Sequence, residues 1–279
     1  MAGYLIINPH SGESAADDLR AAAEARGIAT HVLKPRDDPA ELARAAPDGV
    51  IGVAGGDGSL GAVASVCIER ALPFIPVPSG TRNHFARDLE VDRSNPLGAL
   101  EAFANGVERR VDVGRANGRV FVNNVSLGTY AQLVHRREHH RRRREALARL
   151  RALGSAVRHR RAIEFAVDGE PVSARVVLVA NNACSLELLS LGERERLDQG
   201  LLHLYLTAGL VRPEWRDRAA KRFLIDADVS RLRAAVDGEP ATLETPIEFE
   251  IQEAALRVLV PRGPEPEHGV LAREGHLTG

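Results

Sequence analysis

Residues 52–66 read GVAGGDGSLGAVASV, and within them one carboxylate, Asp57, stands among three glycines, Gly55, Gly56 and Gly58. The residues just before, GVIGV, are apolar and β-branched as in a buried parallel strand. Those just after, SLGAVASVCIER, repeat apolar side chains at helical spacing. The glycines therefore occupy a strand-to-helix turn. There the backbone can take φ > 0 and come close to a ligand, while the helix N-terminus offers free N–H groups and the positive end of its dipole. That combination suits a phosphate. An aspartate repels a bare phosphate, so its presence points either to a magnesium ion or to a hydroxyl whose proton must be removed. Taken alone, Gly-Gly-Asp-Gly also reads as no more than a tight turn.

The elements around it predict a parallel sheet. Strands are expected at Tyr4–Asn8, Thr30–Leu33, Val50–Val53 and Phe74–Val77. Helices are expected at Ser14–Arg26, with Ser14 as N-cap, and at Pro39–Ala46. Three polar, glycine-bearing loops then gather at the carboxyl ends of the strands, where open α/β sheets bind ligands: NPHSG (Asn8 to Gly12), GGDGS (Gly55 to Ser59) and PSGTRNHFAR (Pro78 to Arg87). After about Arg110 the rhythm changes to alternating strands joined by NG and DG turns, the pattern of an antiparallel β domain. The expected division is an α/β domain over 1–113 and a β-sandwich over 114–261, with the tail 262–279 free to return to the first domain.

The chain has 279 residues, 44% of them hydrophobic, enough for a sizeable core and two domains. Cys67 and Cys184, in apolar surroundings, are too few for a disulfide framework or a zinc site, so a reducing, cytosolic compartment is expected. The opening MAGYLIINPHSGES reads as a first strand and not as a signal peptide, and the longest greasy stretch, Gly200 to Val211, is too short to span a membrane. Net charge is −1, but residues 135–161 hold 11 arginines and four histidines against Glu138 and Glu145. Such a block suits an anionic surface, a membrane above all. It is also read as a solvated basic helix. Nucleic acid is disfavoured, because the segment has no aromatic residue to stack bases and no recognised binding motif.

GGDG after a strand, followed by P-x-G-T-x-N-x-F-A-R, resembles the diacylglycerol kinase catalytic domain, shared with sphingosine kinases and bacterial lipid kinases and distantly related to NAD kinases. NPHSG, VDVGRANGRVFVNNVSLG, LDQGLLHLYL, AAVDGEP and ALRVLVP resemble further motifs of the family in the same order. The resemblance implies an NAD-kinase-like α/β domain joined to a β-sandwich, with ATP and magnesium in the cleft and a lipid hydroxyl, diacylglycerol by default, as acceptor. It implies a protein at the inner membrane surface, touching anionic lipid through 135–161, and leaves a homodimer open. NAD kinase is the nearest enzymatic alternative. The other is a nucleotide- or membrane-binding protein that has lost turnover.

By that resemblance Asp57 is catalytic and a metal ligand, with Asp112 beside it in the magnesium network, and Glu239 is the general base. Asn8, Gly12, Gly55, Gly56, Gly58, Ser59, Gly80, Thr81, Arg82 and Asn83 would hold the nucleotide. Two departures stand out. His84 occupies a position where relatives carry an aspartate, and Gln199 follows Asp198 where relatives often pair two aspartates on a structural divalent ion. Arg82 is placed to neutralise polyphosphate charge. Glu170, in the first of two DGE stretches, reads as turn surface.

Overall fold

The computed structural model describes residues 3–9, 13–79, 83–128, 162–186, 193–207 and 215–262. Gly12, Gly80, Thr81, Arg82, the 135–161 segment and the tail from residue 263 lie outside the described residues.

Strands β1 (Gly3–Ile7), β2 (Ala29–Val32), β3 (Val50–Gly55) and β4 (Phe74–Pro78) pair in parallel in the order β2-β1-β3-β4. Helices α1 (Glu13–Glu24), α2 (Pro39–Ala45) and α3 (Asp57–Glu69) connect them. Three short helices, α4 (His84–Asp88), α5 (Pro96–Ala99) and α6 (Ala102–Asn105), follow β4. Strands β3 and β4 are buried at every residue, as the unbroken apolar runs require. At the start of α2 the Asp38 carboxylate accepts the Ala40 N–H, and Pro39 takes the first helical turn, where its missing donor costs nothing. Helix α1 already begins at Glu13, one residue ahead of the expected cap at Ser14.

The strands of the rest of the described chain pair antiparallel with one another. Strands β5 (Val107–Ala116), β6 (Arg119–Phe121), β8 (Ile163–Val167), β9 (Glu170–Ala174), β13 (Arg222–Asp226) and β16 (Ile247–Val260) extend the first sheet beyond β4, which β16 joins in parallel. A second, six-stranded sheet runs β12-β11-β10-β7-β14-β15, formed by β7 (Asn124–Gly128), β10 (Val176–Asn181), β11 (Leu202–Thr207), β12 (Arg216–Ala220), β14 (Arg231–Val236) and β15 (Glu239–Glu244). The two sheets share one apolar core, in which Phe121 meets Phe249 edge to face at 6.4 Å between ring centroids. This is the expected α/β domain with parallel sheet followed by an antiparallel β domain.

Three hairpins turn on the residue pairs read from the sequence. Asn117-Gly118, Asp168-Gly169 and Asp237-Gly238 all have positive φ at both positions, the backbone of a type I′ turn. The sheet is continuous across residues 113 and 114, because β5 and β16 pair through that point with a bulge between Gln252 and Leu256. Beyond the bulge Leu256, Val258 and Val260 enter the first core, so the chain returns to the α/β domain within β16 itself.

Candidate active site

Strand β3 ends at Gly55, Gly56, which has no side chain to cap with, occupies the N-cap, and Asp57 opens α3. The Ser59 and Leu60 N–H groups close onto the Gly56 carbonyl. Asn8, at the end of β1, donates through Nδ2 to Ser59 Oγ at 3.1 Å and through its backbone to the Ala54 carbonyl at 2.8 Å. The first and second loops thus form one surface at the start of a 13-residue helix. The expectation that these glycines serve positive φ is corrected by the backbone, which keeps all three out of the left-handed region. Their value is space. A Cβ on Gly55 would lie 3.2 Å from that of Ser59 and 3.3 Å from that of Asn8, whereas a Cβ on Gly56 would have none of the described residues within 4 Å beyond its chain neighbours, which leaves room for a ligand there.

Gly58 has a different neighbour. A Cβ there would meet Glu239 Cγ at 2.3 Å, Cδ at 2.9 Å and Oε1 at 3.0 Å. Glu239 is exposed and pairs with Val236 to close the β14–β15 hairpin. That hairpin sets its carboxylate against the first turn of α3, at Gly58, from 181 positions further along the chain. Asp237 anchors the turn: it is buried, and its carboxylate accepts the N–H groups of Val122, Asn123 and Asn124 at 2.9, 2.8 and 3.1 Å. Burial pushes this carboxyl up from 3.8 to about 6, against the pull of the three N–H groups and of Arg194. A raised folded value favours the proton in the native state, so the contribution is complete below 3.8 and is lost as pH rises through about 6. Relative to Asp237→Asn, wild type should lose about 3 kcal/mol of unfolding free energy across that window. Urea titrations from pH 4 to 7 measure this, and a constant difference between the two proteins would contradict it.

Other expected residues lie deeper. Asp112, expected in the magnesium network, is 2% exposed; its Oδ1 accepts the Ala254 N–H at 2.8 Å and its Oδ2 the Gly200 N–H at 2.7 Å. It ties the β16 bulge to the loop before β11. Asn83 is buried immediately ahead of α4, and His84 begins that helix. Gln199 accepts the Ala183 N–H and donates its own N–H to Asn182 Oδ1, while Asp198 pairs with Arg196 at the surface. Glu170 is exposed and pairs with Arg218. Beside the Gly58 face of α3 lies a cavity of about 210 Å³, lined among others by Gly61, Ser65, Arg44, Arg119 and Asp237. Among the described residues no group of three His, Cys, Asp or Glu side chains forms a ready metal cage. Magnesium carried by a nucleotide needs only one or two carboxylates, because phosphate and water supply its other ligands. Asp57, the residue that opens α3 beside the uncrowded Gly56, is of the type that demand calls for.

Residues 2–116 match the model of the diacylglycerol kinase catalytic domain. That match covers the N-terminal domain alone. Among curated relatives, a diacylglycerol kinase of Bacillus subtilis is 34% identical over 111 residues, covering 39% of this chain and 34% of its own. One from Staphylococcus aureus is 32% identical over 142 residues, covering 46% and 44%. The matched region thus spans less than half the length of these relatives. A solved structure of a diacylglycerol kinase from Bacillus anthracis superposes with a TM-score of 0.65 at 18% identity, covering 93% of this chain and 96% of that one. A second structure from the same organism gives a TM-score of 0.70 at 19% identity, covering 93% and 95%. These last likenesses concern the fold, and extend it through the β domain.

The structure also adds a buried network that the sequence did not announce. In the N-terminal domain α4 ends at Asp88, whose side chain is 1% exposed and pairs with Arg87 through Oδ1 and with Arg194 through Oδ2. Arg194 lies between domains. Its surrounding sequence, GERERLD, alternates charges as a surface loop does, so neither composition nor period marks it. The only hint was the pair of asparagine-rich stretches VNN and VANN, which supply its other partners.

Proposed function

We propose that the protein transfers the γ-phosphoryl group of ATP to a lipid hydroxyl, that of diacylglycerol by default. The observation that carries this reading is the placement of Glu239 over Gly58, which brings a carboxylate 181 residues away in sequence to the first turn of the helix that Asp57 opens. The family match of the first domain supports it. ATP would lie across the carboxyl ends of β1, β3 and β4, its phosphates toward Gly56 and the α3 N–H groups, with Asn8 and Ser59 beside them. Magnesium, held with Asp57, would neutralise charge on the phosphates. The acceptor enters from the cavity flanking α3. Glu239 takes the proton as the hydroxyl oxygen forms the new bond to phosphorus; the bond from phosphorus to the bridging oxygen breaks and ADP leaves. Asp237 and the hairpin fix where that carboxylate stands. No helix among the described residues is long and apolar enough to cross a membrane. In this reading the arginine-rich 135–161 segment holds the enzyme on anionic lipid at the inner membrane surface, at roughly 1 kcal/mol per engaged charge.

Transfer of labelled γ-phosphate from magnesium ATP into mixed micelles carrying several neutral lipids tests this, with NAD as a parallel acceptor. Label in one lipid is expected, reduced about 10³-fold in Asp57→Asn. Label in NAD instead would make the protein an NAD kinase. ATP binding with label in neither would make it a nucleotide-binding protein without turnover.

A further inference from the structure

Arg194 carries a buried charge bonded to four separate groups. Its guanidinium is 2% exposed and is met on every edge. Nε donates to Asp88 Oδ2 at 2.7 Å, Nη1 to the carbonyls of Val122 at 2.6 Å and Asn181 at 3.1 Å, and Nη2 to Asn123 Oδ1 at 2.8 Å. Asp88 closes the helix at the third of the nucleotide loops, so one end of this network belongs to the α/β domain. Val122 and Asn123 belong to the crossing between β6 and β7. Their N–H groups, with that of Asn124, hold the Asp237 carboxylate. Two residues beyond Asp237 stands Glu239, over Gly58.

A continuous chain of short polar contacts therefore runs from α4 through Arg194 and the 122–124 backbone to the hairpin that presents Glu239. Buried ion pairs are a poor source of stability, because desolvation offsets their attraction and apolar replacements of the same volume often do as well. What a planar, five-donor guanidinium supplies is direction: its bonds are satisfied in one arrangement of the groups around it. A carboxylate that must reach an acceptor hydroxyl within hydrogen-bond range has need of such a fixed register.

We propose that Arg194 is a positioning residue, holding the 122–124 segment and through it the Asp237 turn so that Glu239 stands in register with the first turn of α3. The catalytic part of this inference rests on the kinase reading; the structural part does not. Arg194→Met removes the node, and Asn123→Ala removes one of its four bonds while keeping the backbone N–H groups that Asp237 uses. In both, amide hydrogen exchange at 122–124 should accelerate at least tenfold while β1, β3 and β10 keep their protection. In lipid transfer, kcat should fall at least tenfold with KM for ATP within twofold. Placed in a Glu239→Gln background, the same substitutions should cost less than a further twofold, because the residue they position is already gone. Unchanged exchange at 122–124, or an undiminished loss in the Glu239→Gln background, overturns the proposal. If Arg194→Met does not fold, Asn123→Ala decides alone. If wild type transfers no phosphate, the kinase reading fails and the exchange measurement still decides whether Arg194 sets the register.

Discussion

Gly58→Ala is expected to lower phosphate transfer about 10²-fold while leaving the protein as stable as wild type or slightly more so. Gly58 lies in the first turn of α3 with helical backbone, where alanine is favoured over glycine by up to about 1 kcal/mol. Its new Cβ would stand 2.3 Å from Glu239 Cγ. Contact with the middle of a side chain is not relieved by moving its tip, so Glu239 must change rotamer or the hairpin must shift. Glu239 is exposed, so turning it toward solvent opens no cavity in the core. It removes the proton acceptor from its place, an effect worth 10²- to 10⁴-fold where general base catalysis operates. Thermal unfolding and the initial rate of lipid labelling, measured on one preparation, separate the two effects. Full activity in a well-folded Gly58→Ala protein would remove Glu239 from the mechanism.

Asp88→Ala should be the most destabilising of the polar substitutions, at about 3–5 kcal/mol. The reason is the charge left behind. Arg194 keeps neutral partners in Val122, Asn181 and Asn123, but its guanidinium is 2% exposed and loses its anion. Arg87, which shares Asp88 and lies 3.5 Å from Glu193, can swing to water. Combining Asp88→Ala with Arg194→Met removes the stranded charge, so the double variant should be more stable than Asp88→Ala alone. Urea unfolding of the four proteins completes a double-mutant cycle. Losses that simply add would mean that the two side chains do not act as a pair.

How legible each part was follows from how local its signal is. The parallel strands β3 and β4 could be read because strands covered on both faces need unbroken apolar runs. The three I′ hairpins could be read because Asn-Gly and Asp-Gly tolerate positive φ at both central positions. The role of the GGDG glycines was misjudged for the converse reason. Their φ angles are ordinary, and the demand on Gly58 comes from a side chain 181 positions away. Asp112 illustrates the same limit, since its backbone donors, Gly200 and Ala254, are distant in sequence.

By itself the sequence determined the four parallel strands with the helices that connect them, the change from parallel to antiparallel pairing, and the strand-to-helix turn that holds Asp57. Each of these depends on residue-level conformational preference or on apolar period, which neighbouring positions express together. Only the tertiary structure decided that Glu239 stands over Gly58, that Asp237 hangs from the 122–124 backbone, and that Arg194 joins Asp88 to that segment. Those contacts are closed by β5 and β16 running through both domains and by the packing of two sheets on one core. No periodicity along the chain records them, because the free energy that selects them is gained only when distant surfaces meet.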